Sequence, residues 1–151
     1  MAAQMRVWAA GVAILPLLWA SGPSTQEAAP PFVIVVNKSN PITALPLTEL
    51  QRVFRKQTRM WRHGEAMVPV DWDATSEIRQ EFSRRVMGRS VREMADFWVQ
   101  QSITQGLAPP STQKSTRAIL RFVASVPGAI SYVPRGEADE SVKMIDVNIL
   151  P

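Results

Sequence analysis

Cysteine is absent from the whole sequence of 151 residues. Its absence excludes disulfides, thiolate metal sites, a cysteine nucleophile and a lipid-modified N-terminal cysteine. Histidine occurs once, as His63 in the turn Trp61–Gly64. A metal site usually takes about three or four ligands, and no second ligand stands near His63, so neither a metal nor a cofactor is expected. Charge is scarce at the start, where Arg6 is the only charged residue before Glu27. Long apolar runs are scarce after that point, and none reaches the ~20 residues of a membrane-spanning helix. No set of nucleophile, base and orienting group stands out either. Asp71 and Asp73 share a face of an extended segment at a spacing of two, yet nothing beside them suggests a reaction. The chain reads as non-enzymatic.

What is present begins with an export signal. Arg6 precedes the apolar run Val7–Ala20 (VWAAGVAILPLLWA), and small residues Ser21-Gly22 follow. That order matches a cleavable signal peptide, and the run is too short, and interrupted by Pro16, for an anchor. Residues 1–22 are therefore expected to be a signal peptide, cut after Ala20 or Gly22. The protein is then periplasmic or secreted and meets a membrane only through an uncleaved leader. Residues 23–31 (PSTQEAAPP) form a polar, proline-rich linker expected to be disordered. Residues 32–151 are enough for one domain with one core. Once Arg6 leaves with the leader, the remaining 16 Lys+Arg face 13 Asp+Glu, a net of +3. This mild excess suits solvated helix faces or attraction to anions and acidic partners. No nucleic-acid-binding motif accompanies it, so nucleic acid is not an expected partner.

Periodicity then sets the elements. FVIVV (Phe32–Val36) reads as a strand buried on both faces, as in a parallel sheet. Residues 37–41 form a turn. LTELQRVF places Leu47, Leu50, Val53 and Phe54 on one helical stripe, with either a Thr48–Gln51 capping box or a start at Pro46. Met67–Asp71 is a short strand in which Pro69 hints at an edge or irregular pairing. A helix opens near Thr75 or Ser76, carries Ile78, Phe82 and Val86, and closes at Gly88. Ser90-Val91-Arg92-Glu93 is a capping box for a helix burying Met94, Phe97 and Trp98. Residues 105–112 form a loop. Ser115 caps a helix whose inner face is Ile119, Phe122, Val123 and Val126, ended by Pro127-Gly128. Strands follow at Ala129–Val133 and Val142–Val147, joined through the Arg135-Gly136 turn. Strands alternating with helices give an α/β domain.

Several segments in this order resemble the phosphate-type substrate-binding proteins of bacterial ABC transporters. They are VVNKSNPITALPLTELQRVF (Val35–Phe54), MWRHGEAMVPVDWD (Met60–Asp73), SEIRQEF (Ser76–Phe82) and SVPGAISYV (Ser125–Val133). The family's "IF-G-K" pattern reads Val53-Phe54-Arg55-Lys56 here, and its "PGAIGYV" carries Ser131 in place of a glycine. The resemblance implies a periplasmic-binding-protein-like fold with a mixed sheet flanked by helices. Family members clamp a ligand between two lobes, and this chain has room for about one.

The resemblance also points to a site. At the junction of strand and helix the family carries an arginine followed four residues later by Ser-Gly-Thr, which grips phosphate. Trp72 stands where that arginine would be, Ser76 is retained, and Glu77 and Ile78 replace the glycine and threonine. Read from the residues alone, a helix start at Thr75 and Ser76 offers N–H groups, a positive dipole end and hydroxyls, and Arg79 lies one turn on. Trp72, Thr75, Ser76 and Arg79 are thus the expected binding residues for phosphate or another small anion. Glu77 opposes this, since a carboxylate ~4 Å from one negative charge costs on the order of 4 kcal/mol at an effective dielectric near 20, about three decades of affinity. The alternative at the same residues is a plain helix cap, with Arg79 in a surface ion pair. Lys114-Ser115-Thr116 is a second helix start of that kind. Trp61 and Trp72 line a pocket or pack, and Trp98 belongs to the core. Two functions follow: a solute-binding-like protein taking a small anion at 75–79, or a ligand-less interaction or sensor-associated module with an envelope protein or transporter as partner.

Overall fold

The computed structural model describes residues 29–148. The expected signal peptide and most of the expected linker lie outside the described residues. Within them the chain runs β1 (Phe32–Asn37), β2 (Ala44–Leu45), α1 (Leu47–Phe54), β3 (Val68–Trp72), α2 (Glu77–Phe82) with a π-helical continuation Ser83–Met87, α3 (Val91–Gln105), β4 (Ser111–Gln113), α4 (Thr116–Ser125), β5 (Ala129–Pro134) and β6 (Val142–Val147). The strands form one six-stranded sheet in the order β2-β6-β1-β5-β3-β4.

The sheet is mixed. β1 is central and buried on both faces, as its unbroken β-branched run predicts, but it pairs antiparallel with both neighbours, β5 and β6. The parallel sheet suggested by Phe32–Val36 is found instead where β3 lies beside β5 and β4, and where β2 lies beside β6. Burial on both faces follows from helices on both faces and leaves strand direction open. Pro69 pairs with Ile130 of β5, and β4 meets β3 only from Val70 onward, so the proline sits where one side of its strand has no partner. β4 begins inside the segment expected to be a loop and ends one residue past it. In Ser111-Thr112-Gln113 the first two residues are exposed and Gln113 is half-buried, and the segment lacks the apolar alternation that marks a strand.

Side chains alternate across β1 and β5, so Phe32, Ile34 and Tyr132 share one face and Val35, Asn37 and Ser131 the other. On the first face Tyr132 stacks on Phe82 at 3.8 Å between centroids, and Phe32 and Phe54 meet the same pair edge-on or tilted. On the second face α4 packs against β5 and β1. The Asn37 amide donates to the carbonyls of Val123 (2.8 Å) and Ala124 (2.9 Å), partnering the last turn of α4.

Helix ends follow their sequence signals closely. Pro46 is the N-cap of α1 and no side-chain cap bond forms, so the earlier of the two expected starts is the one used. The Ser90–Glu93 capping box forms in full, with Ser90 N–H donating to Glu93 at 2.7 Å and Glu93 N–H to Ser90 Oγ at 3.2 Å. Gly88 takes the left-handed conformation that ends the π-helical turn. Ser115 caps α4, which buries Leu120 with Ile119 and Val123 and leaves Phe122 and Val126 half-buried. At the other end of the domain, Pro30 and Pro31 are held by Arg135, whose N–H donates to the Pro31 carbonyl at 2.8 Å and whose Nε donates to Pro30 at 3.2 Å.

Candidate functional site

The junction from β3 to α2 carries the residues singled out from sequence. β3 is buried from Pro69 through Trp72, so its polar residue, Asp71, enters the core with its strand. A buried carboxylate needs partners, and Asp71 has three. Arg79 Nη1 lies 2.6 Å from Asp71 Oδ2, with both side chains under a tenth exposed. The Tyr132 hydroxyl donates to Oδ1 at 2.5 Å, and the Trp72 N–H donates to the same oxygen at 2.8 Å. Burial pushes the Asp71 carboxyl above its ordinary value, against the opposing pull of Arg79 and of the bonds from Tyr132 and Trp72. Burial, and then the Asp71 charge beside it, pushes the Tyr132 phenol well above its own.

Trp72 is buried, and its indole N–H donates to the Tyr132 carbonyl at 2.7 Å. Ser131 Oγ, in place of the family glycine, donates to the Val70 carbonyl at 2.8 Å. These bonds tie β3 to β5 just beyond Pro69, where the paired register between them stops.

Past Trp72 the chain turns over Asp73, whose carboxylate accepts from the Thr75 N–H (3.0 Å) and hydroxyl (2.6 Å). Those bonds and nearby Lys114 hold the Asp73 carboxyl below its ordinary value. Ser76 is the N-cap of α2; its hydroxyl donates to the Asp73 carbonyl at 2.9 Å and makes no side-chain cap bond. The first-turn N–H groups of α2 therefore have no side-chain cap.

Thr75 and Ser76 thus stand at the helix start, as expected. Arg79 and Trp72 point into the core, each with a partner of its own. Asp71 and Asp73 do not act together: one faces Arg79 and the other closes the turn. Sequence reasoning missed Tyr132 and the role of Asp71. The available signal was an acidic residue between the apolar Val70 and Trp72, which needs a cation or hydroxyl nearby once its strand is buried.

The other positions are structural. Ser115 Oγ accepts from the Ala118 N–H at 3.2 Å, and the Thr116 hydroxyl bonds Glu137, so that helix start is an ordinary cap. His63 stacks on Trp61 and lies 3.4 Å from Glu65. No group of acidic and imidazole side chains able to hold a metal occurs among the described residues. Trp61 is buried, donates to the Gly128 carbonyl at 3.0 Å and borders a cleft of about 410 Å³ lined also by Ile42, Leu45, Met60 and Met67, apart from residues 75–79. Trp98 is buried in the core.

Comparison with solved structures places this fold among phosphate-receptor folds. An ABC-type phosphate transport receptor from Vibrio cholerae superposes with a TM-score of 0.62 at 24% identity, over 77% of this chain and 45% of that one. A candidate phosphate ABC transporter substrate-binding protein from Clostridium perfringens, solved with bound phosphate, gives 0.64 at 18% identity over 80% and 46%. PstS from Borrelia burgdorferi gives 0.61 at 14% identity over 78% and 47%. The chain therefore spans a little under half the length of the structures it matches, as a short one-lobe relative in fold. No protein-family model matches the sequence, and no curated protein sequence matches it.

Proposed function

We propose that this chain is an exported, non-enzymatic relative of the phosphate-type receptors that works as an interaction module. The observation that carries this reading is the 2.6 Å pair between Arg79 and Asp71. Arg79 is the one cation within the 72–79 segment, and its charge is already neutralised inside the core. An anion arriving at Thr75 and Ser76 would meet Asp73 and Glu77 and no free cation of that segment, with Lys114 the one cation near Asp73 from outside it. The Thr75 and Ser76 hydroxyl protons are also engaged, both with Asp73.

A second reading has its own support. The fold neighbours are phosphate receptors, one of them with phosphate bound, and the α2 start lacks a side-chain cap. A small anion would then be held weakly by main-chain N–H groups beside Thr75 and Ser76. Isothermal titration of the exported chain with phosphate, sulfate and small carboxylates separates the two. The interaction-module reading expects no heat at millimolar anion. Saturable phosphate binding that is lost in Thr75→Pro or Ser76→Pro would replace it with the receptor reading.

A further inference from the structure

Helix α3 presents two faces. Met94 and Trp98 are buried, and Phe97 is half-buried against the core. At 100° per residue, Arg92, Val99 and Ile103 fall on the opposite side, with Ala95 on its flank and the cap residue Gly106 just past the helix end. All five are exposed, with Val99 at 58% and Ile103 at 80%. From Val99 to Gln105 only Gln101 is even half-buried, so the last turns of α3 stand clear of the body. A helix end with so little packing is marginal in water, and the aliphatic pair Val99 and Ile103, at spacing four on it, is left exposed among the described residues.

The charges along α3 make this stripe complementary to itself. Arg92 sits in the first turn, at the positive end of its own helix dipole, where a cation is unfavourable. The last turn carries no basic residue to meet its exposed carbonyls. An antiparallel pair of α3 helices centred on Val99 resolves both faults. Residue 103 then lies opposite residue 95, and residue 106 opposite residue 92. Ile103 packs over the small Ala95 of the other copy, and Arg92 reaches the other copy's C-terminal carbonyls. The two Asp96 carboxylates are offset by about 9 Å along the axis at a rise of ~1.5 Å per residue, near the screening length at ~0.1 M salt.

We propose that this outward stripe of α3 is a self-association surface on which a second copy of the chain packs antiparallel. This inference rests on the interaction-module reading and names its partner. One helix pair makes an interface at the small end, below about 1,200 Å² in total, so the dimer is a weak and reversible one.

Sedimentation equilibrium of the purified exported chain across micromolar to millimolar loading tests it. A monomer–dimer equilibrium is expected for the wild type, and Ile103→Asp should abolish it while leaving the thermal unfolding midpoint unchanged. Arg92→Ala removes two charge–dipole contacts per dimer and should weaken association by about three- to thirtyfold, without destabilising the monomer. Association that survives Ile103→Asp would overturn the proposal. So would a chain that stays monomeric throughout; if an envelope protein then co-purifies with it, self-association falls and the interaction-module reading stands. Tight phosphate binding by a chain that still dimerises through α3 would remove that reading and leave the dimer in place.

Discussion

Arg79 and Asp71 bear on stability as directly as on function. Removing one partner of a buried pair leaves an uncompensated charge, which typically costs about 3–5 kcal/mol. Arg79→Met should therefore lower the unfolding free energy by roughly that amount near neutral pH, read by urea denaturation. The pH dependence has a definite sign. Burial already raises the Asp71 carboxyl in the folded chain and Arg79 is the largest influence opposing it, so the variant raises it further. A carboxyl with a raised folded value binds its proton more tightly folded than unfolded, and stability falls as pH rises through that value. The deficit of Arg79→Met should thus shrink as pH is lowered toward the ordinary carboxylate range. Asp71→Asn combined with Arg79→Met should be less destabilised than the sum of the single changes. A deficit that grows on acidification would place the damage elsewhere in the core.

At the scale of elements, Gly128 shows how one residue fixes the approach of two segments. It follows Pro127 at the end of α4, and a Cβ built there would collide with the Ala66 carbonyl. Its own carbonyl accepts from the Trp61 indole at 3.0 Å and from the Val68 N–H at 2.9 Å, so the 60–67 turn and β3 both register on it. Gly128→Ala must push these segments apart and should cost about 1–3 kcal/mol, the usual range for overpacking, measured as a drop in the denaturation midpoint.

The elements that could be read from sequence are those whose signal is local. The Ser90–Glu93 box, the Gly88 and Pro127-Gly128 stops and the stripe Leu50, Val53, Phe54 all depend on neighbours a few residues away. β2 and β4 could not be read, since each is a short edge strand defined by its partner and not by its own pattern. The direction of pairing of β1 was equally hidden, because burial on both faces is common to parallel and antiparallel centres. For the site, sequence located the helix start at Thr75 and Ser76. It could not show that Arg79 turns inward, since a partner across the sheet, Tyr132, and another eight residues back, Asp71, decide that together.

At the scale of the molecule, the described fold gathers its aromatic core around Tyr132. It is the only tyrosine in the sequence, it is fully buried, and it stacks on Phe82 while its hydroxyl bonds Asp71. The cluster around it draws on β1, α1, α2 and β5, so the phenol cannot meet hydroxide unless the sheet and its helices separate. Its folded value stands well above the ordinary 10.0. In the unfolded chain the phenol ionises near that ordinary value, so above about pH 10 the unfolded state loses a proton that the folded state keeps. Stability must then fall as pH rises through that window. Absorbance at the phenolate band and far-UV circular dichroism, followed together in an alkaline titration, should therefore change in one coincident step. Phenolate appearing while the helical signal persists would mean that this face opens on its own. Coincidence would show that the described fold, with no disulfide to hold it, opens as one cooperative unit.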